Sequence, residues 1–277
     1  MTRVESASSI NTYFHCPRQY YYSYKLELPR KDSIATITGK AMHTTLERFY
    51  KLNLIGINKE NYIEEFQHRL VILFNEVWTG SIPSLIALSK NKEDIIKYYS
   101  DALGMLNNFA SKIIDEINKK IEGGEGIEIA FEKIKPESEV FLTSERYKVR
   151  GYIDAIHTNN DEITILDYKT SKSDIPPAEY IRQLSLYVLL YFENYGKMPD
   201  KTALHYLRTN VVRIINVDES TLMQAKMDCE YIHSKTVSDD IKDYPRNLGS
   251  WCNGGIKCDF YEVCFGINRL DNFIPEK

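Results

Sequence analysis

The sequence has no run of apolar residues approaching the roughly 18 that a membrane span needs, and its first residues contain no apolar stretch of the secretory kind. It also lacks a strong charge of either sign, because the formal net charge is −4 at pH 7 and the pI is about 5.9. Such a balance leaves no global electrostatic footprint for nucleic acid, so any such binding must come from local patches. We expect a cytoplasmic protein that makes no membrane contact.

Two common catalytic signatures are missing as well. The TGK at residues 38–40 lacks the G-x-x-x-x-G-K-[ST] frame of a phosphate loop, so the chain carries no visible ATPase. No Ser/His/Asp or Cys/His motif stands in a recognisable context for nucleophilic catalysis. The sequence also contains no internal repeats. These absences leave enzymes of other kinds, and binding proteins, as the open classes.

The composition that remains is that of an ordinary globular chain, with 277 residues, 43% hydrophobic and 27% charged. We predict one domain over residues 1–277. Its first half is helical in period: apolar residues repeat at helical spacing over residues 37–54 and again over about 60–122, up to the glycine-rich EGGEG. We predict that residues 56–125 form a helical insertion.

The second half changes to the period of strands. IEIAFEKI, SEVFLTS, YKVRGYIDAIH and EITILDYKT are predicted as successive strands joined by short polar turns. An amphipathic helix follows Pro176 and Pro177, then the strands TALHYLRT and VVRIINV, and a last helix over residues 219–234. This order predicts a mixed α/β fold with the sheet in the second half.

The stretch GYIDAIHTNNDEITILDYKTSK, residues 151–172, places charged side chains in apolar surroundings. Asp154 lies in one predicted strand, and Asp167 and Lys169 lie in the next. If these neighbouring strands are joined by a hairpin, both carboxylates can meet near one end of the sheet, and Lys169, two residues after Asp167, projects from the same face. A buried carboxylate is costly unless a metal or a cation compensates it. The stretch therefore predicts a functional site.

These residues suit Mg²⁺ or Mn²⁺. Hard divalent ions prefer carboxylate and carbonyl oxygens, so Asp154, Asp167 and the backbone carbonyl of Tyr168 are predicted ligands. A metal acidifies a bound water, and the ammonium group of Lys169 can orient that water or stabilise charge on a phosphate. The alternative is a surface salt bridge between Asp167 and Lys169, which the D-x-K triplet alone would favour. The upstream G-Y-I-D favours the metal site instead.

Three further residues extend this pattern. His43 stands in GKAMH on a predicted helix, and Gln183 and Tyr187 stand in QLSLY on the helix after the D-Y-K strand. In this order the array resembles the RecB-like branch of the PD-(D/E)xK nucleases. The resemblance implies a restriction-endonuclease-like fold, with a mixed central sheet flanked by helices, and a metal-ligand role for His43. The catalytic residues that it implies are Asp154, Asp167, Lys169, Gln183 and Tyr187.

Five cysteines in such a chain favour metal ligation or free thiols over disulfides. Cys252, Cys258 and Cys264 lie in a tail, residues 245–277, and Cys16 lies near the other end. Four thiolates can hold zinc or an iron–sulfur cluster. One early and three late cysteines resemble the iron–sulfur staple of a RecB-like subgroup that includes the AddB nuclease domain and CRISPR-associated exonucleases. The resemblance implies that these four ligate a [4Fe–4S] cluster, with Zn²⁺ as the alternative, although five residues separate Cys252 from Cys258 where the subgroup usually has C-x-x-C.

The segment PRQYYYSYK mixes cations with tyrosines, a composition suited to neutralising phosphates and stacking the bases of a single strand. Its Arg18, Tyr20 and Lys25 are predicted to bind nucleic acid, together with Lys172 near the predicted metal site. The tyrosines are equally suited to packing over a nearby cluster, so both interpretations stay open.

The resemblance implies a metal-dependent DNA nuclease that hydrolyses phosphodiesters. We expect an exonuclease on single-stranded DNA or frayed ends, working in DNA repair, recombination or CRISPR adaptation. Since the chain has no helicase motif, a helicase or integrase partner would act in trans. The alternative is a non-catalytic nucleic-acid-binding assembly subunit with a structural iron–sulfur or zinc site. The intact Asp154, Asp167 and Lys169 favour the enzyme, because a structural domain does not need that triad.

Overall fold

A mixed five-stranded sheet lies at the centre of the chain, for which the computed structural model describes residues 3–88, 91–254 and 258–267. The strands lie side by side in chain order, and every neighbouring pair is antiparallel except β3 and β4, which are parallel. They are β1 (Glu137–Ser144), β2 (Val149–Asn159), β3 (Glu162–Lys169), β4 (Lys201–Tyr206) and β5 (Val211–Asn216).

Helices cover both faces of this sheet, which confirms the predicted restriction-endonuclease-like α/β class. The helices of the described ranges are α1 (Ala7–His15), α2 (Pro17–Tyr20), a π-helical turn (Tyr21–Lys25), α3 (Ile34–Phe49), α4 (Tyr62–Leu88), α5 (Lys92–Glu122), α6 (Ile127–Ile134), α7 (Ala178–Tyr195), α8 (Glu219–Lys235), a 3₁₀ turn (Ile241–Asp243), α9 (Ser250–Asn253) and α10 (Tyr261–Cys264). Ser6 caps α1 in a capping box, and Pro17 begins α2, where its missing N–H has no helical partner to lose.

One face of the sheet packs against α3, α4, α5 and α6. The stripe of α5 that includes Met105, Phe109 and Ile113 has the spacing of a single helical face, and it is buried in this layer. Leu166 and Tyr168 of β3 enter the same core. The two long helices that were predicted as an insertion, residues 56–125, therefore share their core with α3, and their standing as a separate insertion stays a prediction.

The other face packs against α1, α7 and α8. Ile163 and Ile165 alternate with the previous set along β3 and enter this second core, as two-residue periodicity requires. α7 connects the parallel strands β3 and β4, as a crossover must, and ends at Gly196, whose φ of 72° is the left-handed conformation that suits glycine. Asp167 and Lys169 thus point towards α7.

α4 has the length and composition of a membrane span, with a mean hydropathy of 1.4 over 18 residues. Those two measures alone do not distinguish a span from a core helix. Phe66, Leu70, Phe74 and Trp78 of α4 are buried against neighbouring helices. In the described part of the chain this is the one helix that meets both measures, and one of its faces belongs to the core.

The prediction of a strand at IEIAFEKI is wrong, because residues 127–134 form α6. Ile127, Ala130, Phe131 and Ile134 are buried, and their spacing is that of one helical face. The alternating isoleucines suggested a strand, but Ile129 is exposed. Packing against the neighbouring helices selected the helical period over the two-residue one. The sheet therefore has five strands within the described residues, instead of the six predicted.

Candidate active site

The charged residues of β2 and β3 lie where the two strands separate. Pairing between the strands reaches only as far as Ala155 and Leu166, so Asp154 lies just beyond the paired region. Its Oδ2 accepts a hydrogen bond from the backbone N–H of Tyr168 at 2.8 Å. This bond holds the carboxylate at the edge of the gap between β2 and β3.

A chain of polar contacts runs from Asp167 to α7. Asp167 is 1% exposed, and its Oδ2 lies 2.6 Å from Lys169 Nζ. Lys169 donates to Gln183 Oε1 at 2.8 Å and lies 4.2 Å from the centroid of the Tyr180 ring. Gln183 in turn donates to the Tyr187 hydroxyl at 2.7 Å, since residues four apart share a helix face. The structure thus brings the predicted aspartate, lysine, glutamine and tyrosine together.

His43 reaches the same site from α3. Its Nδ1 lies 3.2 Å from Asp154 Oδ2. Glu139 of β1 completes a group of three, because one potential ligand atom each from His43, Glu139 and Asp154 lie within 4.8 Å of one another. The sequence analysis missed Glu139. Its place opposite Asp154 in a β1–β2 hairpin is the one signal that could have identified it, because SEVFLTS itself contains nothing that marks a ligand.

Glu139 also interrupts the ladder between β1 and β2. Its φ is 52°, which is uncommon for a residue other than glycine. The register pairs Ser138 with Ala155 and Val140 with Ile153, so Glu139 and Asp154 face each other across the interruption. Strain of this kind persists where the surrounding structure requires it, and it accumulates at functional sites.

Burial and neighbouring charges shift the pKa values of three of these residues, Asp167, Glu139 and His43. Burial, and then the charge of Asp154, raise the pKa of Asp167 to about 6 and that of Glu139 to about 7. Burial alone would lower the pKa of His43, but the carboxylates of Asp154, Asp167 and Glu139 raise it to about 9. Carboxyl groups that hold protons this close to neutrality are buried near another negative charge, and a bound cation would stabilise their ionised forms.

The donor set fits a hard divalent cation. Among the described residues, Asp167 Oδ2 is a buried oxygen without a hydrogen bond, and its close contact is the ion pair with Lys169 Nζ. Carboxylates with one imidazole nitrogen match the preferences of Mn²⁺, and carboxylates those of Mg²⁺. The backbone carbonyl of Tyr168 stays a predicted ligand, whereas its side chain points away and contacts the Tyr50 hydroxyl at 3.3 Å.

The residues predicted to contact nucleic acid differ in exposure and in whether they already have partners. Tyr20 is fully buried and donates to Glu5 at 2.6 Å, so the prediction that it stacks on a base is wrong, and the packing interpretation of its segment is favoured. Arg18 donates to the Tyr244 carbonyl at 2.7 Å, and Lys25 pairs with Asp239 at 2.8 Å. Lys172 is exposed and forms no ion pair with another described residue. Burial of the tyrosine-rich segment was not readable from its composition.

The four predicted cluster ligands meet in one cavity of about 380 Å³. Cys16, Cys252, Cys258 and Cys264 all line it. Burial raises the pKa of the Cys258 thiol, and Cys16 and Cys252 are among the charges that raise it further. Burial also raises the pKa of Cys264, against the lowering effect of nearby arginines. The structure therefore joins the two ends of the chain at the thiols that the sequence singled out.

The sequence matches the PD-(D/E)XK nuclease superfamily over residues 5–265. No curated protein matches it. A crystal structure of a protein from Eubacterium rectale, named as a candidate exonuclease, is similar over 100% of this chain and 90% of its own, with 14% identity and a TM-score of 0.49. The structure of SSO0001 covers 49% of this chain and 67% of its own, with 21% identity and a TM-score of 0.28.

Proposed function

Since this chain belongs to the PD-(D/E)XK nuclease superfamily, we propose that it is a metal-dependent DNA nuclease acting on single-stranded DNA or frayed ends. One observation carries the proposal. Buried Asp167 lies 2.6 Å from Lys169 Nζ at the point where β2 and β3 separate, and the charge of Asp154 raises the pKa of Asp167 after burial has done so. A stable core has no use for two close carboxylates whose repulsion costs free energy.

The residues that would hold the cation are Asp154, Asp167, His43 and Glu139, with the carbonyl of Tyr168. The chemistry that a divalent cation supplies at such a site is acidification of water and neutralisation of charge on a phosphate. His43 would give up the proton that it shares with Asp154, because only a neutral imidazole offers a lone pair to a metal.

Lys169 supplies the positive charge of the chain itself. Gln183 and the ring of Tyr180 hold its ammonium group beside Asp167, so it needs little reorganisation to donate to a phosphate oxygen or to the attacking water. Tyr187 orients the amide of Gln183 in turn. The role of Gln183 and Tyr187 is therefore to position Lys169, whereas Lys169 would contact the reacting atoms.

The test is digestion of end-labelled single-stranded DNA by anaerobically purified protein with Mn²⁺, Mg²⁺ or EDTA. We expect cleavage that requires the metal and falls by at least about a hundredfold in Lys169→Ala, because a preorganised donor is lost. Lys197→Ala, which removes an exposed lysine at the end of α7, serves as the matched control and should cut at the parent rate.

The ladder of products distinguishes stepwise removal from an end from internal cutting. Folded parent protein that cuts no DNA with either metal would overturn the proposal. So would Lys169→Ala protein that cuts at the parent rate after contaminating nucleases have been excluded. Strand separation in a repair, recombination or adaptation pathway would come from a partner, because the sequence has no phosphate loop of its own.

We also propose that Cys16, Cys252, Cys258 and Cys264 hold a [4Fe–4S] cluster. A zinc ion with bonds of about 2.3 Å would bring its thiolates to about 3.8 Å from one another. Among the described residues, the one group of three potential ligands within 4.8 Å contains none of these cysteines. A cavity of about 380 Å³ between separated thiols suits a group larger than a single ion. Brown protein with about four irons per chain is expected, and colourless protein containing zinc would contradict this assignment.

A further inference from the structure

Two exposed aromatic side chains lie together on the sheet next to the site. Phe141 of β1 and Tyr152 of β2 are register partners, with ring centroids 4.8 Å apart and an interplanar angle of 43°. They are 47% and 58% exposed. An aromatic pair is normally a means of burying apolar area, so a pair left in solvent beside a catalytic site calls for a ligand.

Gly151, next to Tyr152 on β2, shows which face of the sheet carries the aromatic pair. A Cβ added at Gly151 would lie 3.1 Å from Leu190 and 3.3 Å from Tyr187, both on α7, so this position tolerates no side chain without a shift. Gly151 therefore faces α7. Since side chains alternate along a strand, Arg150 and Tyr152 point away from α7.

The two strands that carry this pair also carry two of the proposed metal ligands. Asp154 lies two residues beyond Tyr152 and Glu139 two residues before Phe141, which corresponds to about 7 Å along each strand. Arg150 lies two residues to the other side, about 14 Å from Asp154 along β2. The order along the hairpin is thus carboxylates, aromatic pair, cation.

A cavity of about 480 Å³ extends from this surface to the residues that position Lys169. Phe141, Tyr152 and Arg150 line it together with Gln183 and Tyr187 of α7. It can reach both sides because β3 does not pair with β2 before Ala155. The gap in the sheet therefore connects the aromatic pair to the side chains that position Lys169.

The side chains that line this cavity indicate the chemistry of its ligand. None of its lining side chains is acidic, and Arg150 is exposed and makes no ion pair with another described residue. Aromatic rings offer faces to unpaired bases, and an unpaired arginine offers a fork to phosphates. Bases within a duplex are already stacked on one another and cannot use such faces, so the chemistry points to a single strand.

We propose that Phe141, Tyr152 and Arg150 form a stacking subsite for a nucleotide next to the cleaved phosphate of a single strand. The inference rests on the proposed nuclease function for the position of that phosphate. The base lies against the exposed rings, and Arg150 contacts the next phosphate along the strand. The subsite thereby makes the protein prefer unpaired ends.

The test measures binding without cleavage, by anisotropy of fluorescein-labelled single-stranded oligonucleotides in EDTA. Tyr152→Leu, which keeps apolar bulk but removes the ring face, is expected to weaken binding at least about fivefold. Tyr152→Phe should retain the parent affinity. Tyr195→Ala is the matched control, since Tyr195 is 47% exposed and lies next to the Tyr191 ring on α7.

A second measurement assigns the stacked base. Single abasic sites are moved along the terminal positions of the oligonucleotide, and one position is expected to weaken binding to the parent but not to Tyr152→Leu. Arg150→Gln should weaken binding and lower its salt dependence, because a phosphate contact releases counterions. Arg146→Gln makes the same charge change at the turn, where Arg146 lies over the Tyr147 ring, and should have little effect.

The outcomes separate this inference from the nuclease proposal. If the parent cuts single strands and Tyr152→Leu binds and cuts them equally well, the subsite is wrong while the nuclease stands. If the parent cuts nothing, yet its binding to single strands depends on Tyr152 and on one base position, the subsite stands and the nuclease proposal fails. A parent protein that binds no single strand, or binds duplex equally well, overturns the subsite.

Discussion

Glu139 is the residue that most changes the site from its sequence-based description. To the residues that the sequence predicted for the site, the structure adds the carboxyl group of Glu139, which has a φ of 52° and lies directly opposite Asp154. Its pKa is raised to about 7, first by burial and then by the charge of Asp154. A carboxylate under such repulsion gains most from a nearby cation.

We therefore expect Glu139→Gln to weaken Mn²⁺ binding at least about tenfold, because one negative charge is removed within a few ångströms of the ion. Isothermal titration calorimetry with Mn²⁺ measures the effect directly. Glu137→Gln, the same change at an exposed position two residues away, should bind Mn²⁺ like the parent. Equal affinities for all three proteins would exclude Glu139 from the metal site.

The composition of the tyrosine-rich segment did not predict the environment of its residues. Tyr20, Arg18 and Lys25 were predicted to face nucleic acid, but Tyr20 is buried and the two cations already have partners. A run of tyrosines is compatible with either a core or a binding surface, because a tyrosine ring suits both. Only the packing of the run against Tyr244 and Phe260 decides between them.

At the scale of elements, α5 packs against Tyr168, a residue of the β3 segment that contains Asp167 and Lys169. Phe109 of α5 is 1% exposed and packs near the rings of Phe49, Tyr50 and Tyr168. The backbone N–H of Tyr168 holds Asp154. A long helix without a recognisable motif therefore has a definite structural role, since it buries the side chain of Tyr168, whose backbone orients the carboxylate that we propose as a metal ligand.

Phe109→Ala is expected to lower the free energy of unfolding by about 3–5 kcal/mol, because it leaves a cavity in this aromatic cluster. Urea unfolding followed by circular dichroism provides the measurement. Ile96→Ala, on the same helix at a position that is 64% exposed, should cost about 0.5 kcal/mol or less. Similar losses for the two variants would mean that α5 does not pack against the sheet as described.

Element types were predictable where one period dominated and failed where two competed. The alternation of β2 and β3 and the helical stripe of α5 are each unambiguous in the sequence. In IEIAFEKI the two periods overlap, since Ile127 and Phe131 fit either one. The neighbouring helices supply the apolar surface that makes the helical alternative, α6, the better one.

At the scale of the whole molecule, the buried His205 makes the free energy of unfolding depend on pH. His205 is 1% exposed, and its Nε2 lies 3.0 Å from Asn210 Oδ1. Burial lowers its pKa from 6.5 to about 4. Between these pH values His205 is protonated in the unfolded chain but neutral in the folded protein. The free energy of unfolding therefore falls as the pH falls through this window.

Replacing His205 should therefore reduce the loss of unfolding free energy at acidic pH. On going from about pH 7.5 to about pH 5.0, His205→Gln should lose about 2 kcal/mol less of its unfolding free energy than the parent. Urea unfolding at the two pH values measures both losses, and glutamine retains a donor for Asn210. The raised pKa values of Asp167 and Glu139 affect both proteins alike, so an equal loss would exclude His205 as the group responsible.

The sequence by itself determined the α/β class, five of the six predicted strands, and six of the side chains that the structure brings together, namely His43, Asp154, Asp167, Lys169, Gln183 and Tyr187. Period and residue type are local, so they can be read without knowing which segments touch. Tertiary structure decided the rest: α6 instead of a strand, the burial of Tyr20, the place of Glu139 opposite Asp154, and the gap between β2 and β3. Each of these depends on which surfaces meet in space, and burial and charge at such contacts arise only when the chain is folded.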